Sequence, residues 1–97
     1  MLFRSVAKML VKADRVEEFK DTAKELVEKS RAEEGNIFYS LNMSTTNPRL
    51  LAFIECWKDQ AAIDFHNATE HFTGILPKLG EMCEEGQPVD LFTEVEY

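Results

Sequence analysis

Residues 3 to 12 alternate: Phe3, Ser5, Ala7, Met9 and Val11 fall on one side, and Arg4, Val6, Lys8, Leu10 and Lys12 on the other. Period two with two unequal faces predicts a β-strand. Asp14, followed three residues later by Glu17, has the spacing of a capping box and predicts that a helix begins there. Val16, Phe19, Ala23, Leu26, Val27 and Ser30 then recur at three- and four-residue steps. Glu17, Lys20, Asp21, Lys24, Glu25 and Glu28 fill the other side, so an apolar stripe packs on a sheet beneath a solvated face. Gly35, preceded by Glu33 and Glu34, is placed to close this helix in a left-handed conformation. The pattern returns to period two over residues 36–44, with Ile37, Tyr39, Leu41 and Met43 opposite Phe38, Ser40 and Asn42. Residues 45–49 carry Asn47-Pro48 turn chemistry, and a third strand over Leu50 to Trp57 completes a predicted antiparallel hairpin.

That third strand is apolar on both faces: Leu51, Phe53, Glu55 and Trp57 project one way, and Leu50, Ala52, Ile54 and Cys56 the other. Helices on one side and a second subunit on the other would give this pattern. Glu55 is the exception that needs a partner. Asp59 can cap a short helix reaching about His66. Thr69 can cap another, carrying Phe72, Ile75, Leu76, Leu79, Met82 and Cys83 at helical spacing, with Pro77 expected to kink or divide it and Gly86-Gln87-Pro88 to end it. Val89 to Tyr97 alternate as a terminal strand. The order strand, helix, strand, strand, helical region, strand over a single domain of residues 1–97 predicts an α+β, ferredoxin-like βαββαβ fold: a four-stranded antiparallel sheet with helices on one face.

Composition narrows the partners. Eighteen acidic against eleven basic residues leave a net charge of -7, which repels phosphate backbones and anionic membrane surfaces, so neither nucleic acid nor membrane is an expected partner. The N-terminal apolar run is short and interrupted by Arg4 and Lys8, unlike a signal peptide or a membrane span, so the cytoplasm is the expected location by default. Cys56 and Cys83 lack CxxC spacing and read as reduced thiols, one in a strand and one on a helix. At 97 residues the chain gains by oligomerising, and the two-sided third strand together with the last strand predicts a homodimer formed through the sheet.

The chemistry concentrates between Glu55 and Phe72, where one carboxylate, the single tryptophan and both histidines lie within one stretch. Histidine exchanges protons near neutral pH, the raw material of acid and base catalysis. His66 and His71 are read either as helix-end residues or as proton acceptors. His71, in a first helical turn whose positive potential favours neutral imidazole, is preferred as base, and His66, at a helix end, is expected to face solvent or brace the turn. Trp57 is core or a wall on which a planar substrate stacks. Glu55 is structural or in contact with substrate, and Tyr39 and Phe53 are core residues that can also touch it. The histidines are five apart across a helix break, with no cysteine or acidic pair to complete a ligand set, so no metal or organic cofactor is expected.

The run Glu33-Glu-Gly-Asn-Ile-Phe-Tyr39, then Glu55-Cys-Trp57-Lys-Asp, then His66 and His71-Phe72 resembles the antibiotic biosynthesis monooxygenase family over nearly the whole chain. The similarity is strongest to small quinol monooxygenases and to the related enzyme that processes a phosphorylated bacterial autoinducer. The resemblance implies a ferredoxin-like dimer, a pocket between sheet and helices, and oxidation of a phenolic or quinol-like compound by molecular oxygen without cofactor. It also leaves open an isomerase acting on a phosphorylated signal, and a non-catalytic small-molecule-binding or stress-response module. A haem-degrading branch shares the fold and Trp57, but aligns Val6 and Leu76 where that branch carries an Asn and an axial His.

Overall fold

The computed structural model describes residues 1–86 and 89–97. Five strands form one antiparallel sheet: β1 (Phe3–Val11), β2 (Asn36–Met43), β3 (Leu50–Trp57), β4 (Cys83–Gly86) and β5 (Asp90–Thr93). The order is β2-β3-β1, with β4 and β5 both on the outer edge of β1. β4 pairs with the Met9–Val11 end and β5 with Phe3–Val6. Three helices, α1 (Val16–Arg31), α2 (Gln60–Asn67) and α3 (Glu70–Glu81), lie between the strands in sequence. The predicted ferredoxin-like arrangement is therefore present, its fourth strand divided into two short pieces.

The alternating faces sort as physical chemistry requires. Phe19, Ala23 and Leu26 of α1 and Ile75 and Leu79 of α3 join Val11, Tyr39, Leu51, Phe53 and Trp57 of the sheet in one buried cluster. Burial of each large apolar side chain contributes roughly 1.5–3 kcal/mol. Among the described residues, no element covers the other face of the sheet: Leu50, Ala52 and Ile54 are half-buried, and Phe38 and Phe92 are exposed.

Local expectations fare unevenly. Asp59 caps α2 by accepting from the Ala62 N–H at 2.8 Å, and Thr69 caps α3 by accepting from Phe72 N–H at 3.2 Å. The capping box at Asp14 is absent. The N-cap is Arg15, without a side-chain cap, because the helix starts one residue later and its N3 residue, Glu18, pairs with Arg15 at 2.7 Å. Gly35 has no positive φ. Its place reflects contact instead, since a Cβ there would lie 2.3 Å from the Ala62 Cβ of α2. α3 runs unbroken through Pro77, held by Ile75 and Leu79 in the core on either side of it. Cys83 is in β4, not a helix, because α3 ends at Glu81 and the chain turns to pair with β1. The terminal strand stops at Thr93. Gln87 and Pro88, expected to help end the last helix, lie outside the described residues.

Candidate active site

β3 carries the floor of the site. Phe53, Glu55 and Trp57 alternate onto the helix-covered face and are 2%, 7% and 1% exposed. The register places Tyr39 of β2 and Ser5 of β1 on either side of Glu55. The cap-to-cap junction of α2 and α3 lies over this floor and brings His66 and Phe72 down onto Trp57 and Tyr39. His66 is 4.5 Å from Trp57, 4.9 Å from Phe72 and 5.6 Å from Tyr39, centroid to centroid.

These residues enclose a cavity of about 260 Å³. Ser5, Ala7 and Met9 extend its floor, Ile63, Asn67 and Leu76 its roof, and Val89 and Leu91 its edge. The volume lies just below the roughly 300–1,000 Å³ of typical small-molecule sites, suited to a compound of one or two rings. Among the described residues, no Lys or Arg lines it. Trp57, Tyr39, Phe53, Glu55 and His66, all singled out in the sequence, line this one cavity, whereas His71 stands behind its wall. Leu76 reaches the cavity, while Val6 pairs with Ile54 on the bare face, so neither position offers the donors of the haem-degrading branch.

Of the two expectations for His66, facing solvent or bracing the turn, the first does not hold. Its side chain is 3% exposed, and its Nδ1 is 2.7 Å from Glu33 Oε2. His71 Nε2 is 2.8 Å from the same oxygen. One buried carboxylate thus joins both histidines across the helix break. Glu33 was missed because, next to Glu34 at a helix end, it reads like a solvated acid. The usable signal was a pair of histidines requiring a carboxylate, with Glu33 opening the family-like run. Burial lowers the His66 pKa, and the nearby Glu33 carboxylate opposes that shift.

Glu33 also corrects the expectation that nothing completes a metal-ligand set. Donor atoms of Glu33, His66 and His71 lie within 4.8 Å of one another. Two ligands held about 2.0–2.2 Å from one tetrahedral ion stand about 3.3–3.6 Å apart, whereas the separations here, 2.7 and 2.8 Å, are hydrogen-bond lengths. The three groups as placed are joined by protons.

The second carboxylate, Glu55, accepts one hydrogen bond, from Trp57 Nε1 at 2.9 Å. Burial is the main cause raising its pKa to about 7; the indole donor opposes and the Glu33 charge reinforces the shift. Tyr39 is raised as well, chiefly by burial and secondly by Glu55. The site therefore combines an imidazole that burial shifts toward its neutral form, a carboxyl raised to about 7 and a flat aromatic wall.

Comparison with known proteins agrees with this geometry. The profile of the antibiotic biosynthesis monooxygenase family matches residues 2–77. The Bacillus subtilis protein "Putative monooxygenase YcnE" is 43% identical over 81 residues, covering 84% of this chain and 83% of its own. The crystal structure of a conserved Methanosarcina mazei protein superposes with a TM-score of 0.95 at 34% identity, covering 98% of this chain and 94% of that one. A crystal structure described as an antibiotic biosynthesis monooxygenase gives 0.92 at 34% identity over 99% and 100% of the two chains. From the residues that carry the resemblance to the backbone that positions them, this chain belongs to the antibiotic biosynthesis monooxygenase family.

Proposed function

We propose that the protein is a cofactor-independent monooxygenase that oxidises a small phenol or quinol with molecular oxygen. The observation that carries this reading is the partly open, mostly apolar cavity in which the His66 ring lies tilted 4.5 Å from Trp57, centroid to centroid, with its Nδ1 engaged by Glu33. Triplet oxygen reacts slowly with closed-shell molecules, but an electron-rich phenolate can give it one electron directly. The protein need only remove a proton, hold the anion beside oxygen and exclude water.

Glu33, by accepting from Nδ1–H, fixes the tautomer that leaves Nε2 of His66 as base. It also stabilises the imidazolium formed when the substrate gives up its proton. His71, donating to the same oxygen, holds that carboxylate in place and is not itself at the cavity wall. The substrate ring lies against Trp57, with Tyr39 and Phe53 beneath it and Glu55 within reach of its polar edge.

A phosphorylated signal fits this site poorly. Phosphate recognition calls for Arg, Lys or a helix N-terminus, and the lining offers a carboxyl group and no basic side chain beyond His66. A second copy of this chain is the proposed occupant of the bare sheet face, where Phe38, Ile54, Val6, Leu50 and Phe92 form an apolar surface that a monomer would leave wet. Sedimentation at micromolar concentration is expected to show a dimer.

Oxygen uptake by the purified, metal-free protein across a panel of phenols and hydroquinones tests the function. Turnover of at least one, lost in His66→Gln with the melting temperature retained, is the expected result. Uptake by none would point to a binding module, and full activity in the variant would place the base elsewhere than His66.

A further inference from the structure

Deprotonation of the substrate by His66 leaves Glu55 without a chemical task, although its position is costly. It sits on the helix-covered face of a central strand, 7% exposed, where leucine would be cheaper. Among the described residues its one hydrogen-bond partner is the Trp57 indole. The groups packed around it supply no positive charge: Ser5 comes from β1, Tyr39 from β2 and His66 from α2, with the Glu33 carboxylate beyond. A buried carboxylate with a single donor and no cation is strongly disfavoured, whereas a protonated carboxyl is tolerated and carries an O–H to give.

Trp57 separates this carboxyl from the imidazole. Its Nε1 holds Glu55, and its ring faces His66. Burial pushes the two neighbours in opposite senses, Glu55 up and His66 down. Such divergence allows an acid to keep its proton and a base to lack one at the same pH.

We propose that Glu55 is the general acid of the oxygen half-reaction, delivering its proton to reduced oxygen inside the cavity. The assignment rests on the monooxygenase reading above. For a phenol with a ring C–H opposite its hydroxyl, the steps balance. His66 takes the hydroxyl proton, and the anion gives one electron to oxygen, forming a substrate radical and superoxide. These combine in a carbon–oxygen bond, leaving a peroxide anion. Glu55 protonates it to the hydroperoxide. Loss of the ring C–H as a proton then breaks the O–O bond; hydroxide leaves, the carbonyl forms, and the departing oxygen takes a proton from His66 to become water. The ring proton restores Glu55. One phenol and one oxygen molecule give one quinone and one water. Without the acid, peroxide anion formation reverses, and superoxide or hydrogen peroxide leaks into solution.

Glu55→Gln tests this while keeping an acceptor for the indole. With the best phenol of the panel, the wild type is expected to show a bell-shaped pH profile whose alkaline limb belongs to Glu55. The variant is expected to lose about 10²- to 10⁴-fold in turnover, to lose the alkaline limb, and to release peroxide in place of product. Glu55→Asp, still an acid, restores the limb at a reduced rate. An active wild type with Glu55→Gln at full rate, or slowed with the limb intact and no peroxide released, overturns the acid role alone. A wild type that consumes no oxygen with any phenol overturns the underlying reading with it.

Discussion

Glu33 and Glu55 are both buried carboxylates against the same aromatic cluster, yet their surroundings differ. Glu33 has its Oε2 within hydrogen-bond distance of two imidazoles, at 2.7 and 2.8 Å; Glu55 receives one indole N–H at 2.9 Å. Two donors suit a group that works as an anion and steadies a cation beside it. One donor in an apolar pocket suits a group that works as an acid. The same residue type thus fits two tasks, and the number of donors around each carboxyl separates them.

The largest expected effect breaks the histidine side of this comparison. His66→Gln is expected to lower oxygen-linked turnover by about 10²- to 10⁴-fold, measured by oxygen electrode, with little change in melting temperature. Glu33→Gln keeps the shape but removes the charge. A loss of about 10- to 100-fold is expected, as for other groups that orient a working imidazole, with the acid limb of the rate profile moved to lower pH because the imidazolium loses its carboxylate.

Stability separates Glu55 from His66. Glu55 is raised from 4.5 to about 7 in the folded protein, so its contribution is complete below about pH 4.5 and is lost as pH rises through 7. His66 is lowered, so its contribution is present above its unfolded pKa and is lost as pH falls through the folded value. Glu55→Gln is therefore expected to be more stable than the wild type at pH 8, by up to roughly 3 kcal/mol, and to flatten the decline between pH 4.5 and 7 in denaturant titrations. A smaller effect concerns the frame. Gly35→Ala would set a methyl 2.3 Å from Ala62 Cβ, forcing α2 off the sheet at a cost of about 1–3 kcal/mol, with a weaker effect on rate than any change at the two carboxyls.

Much of this was legible in the sequence because it depends on short-range pattern. Alternation located β1, β2 and β3 and placed Glu55 beside Trp57 on one face. Asp59 and Thr69 announced their helices. What stayed hidden depends on distant parts of the chain meeting. Glu33 is acidic and next to Glu34, and only the docking of α2 and α3 on the sheet removes it from water. The preference for His71 over His66 followed helix position, whereas cavity access depends on which ring lies over Trp57. Cys83 continued a helical spacing, but pairing with β1 claimed it for a strand.

The central claim is that a neutral imidazole and a protonated carboxyl work in one cavity. The most direct test is the pH dependence of kcat/KM for oxygen uptake by the wild type with a phenol that ionises only well above pH 9. A bell with its alkaline limb near pH 7, reporting Glu55, and an acid limb below it, reporting His66, is the predicted result. A rate that climbs without limit as the solution becomes alkaline would show that free phenolate is all the reaction needs, and would contradict the account.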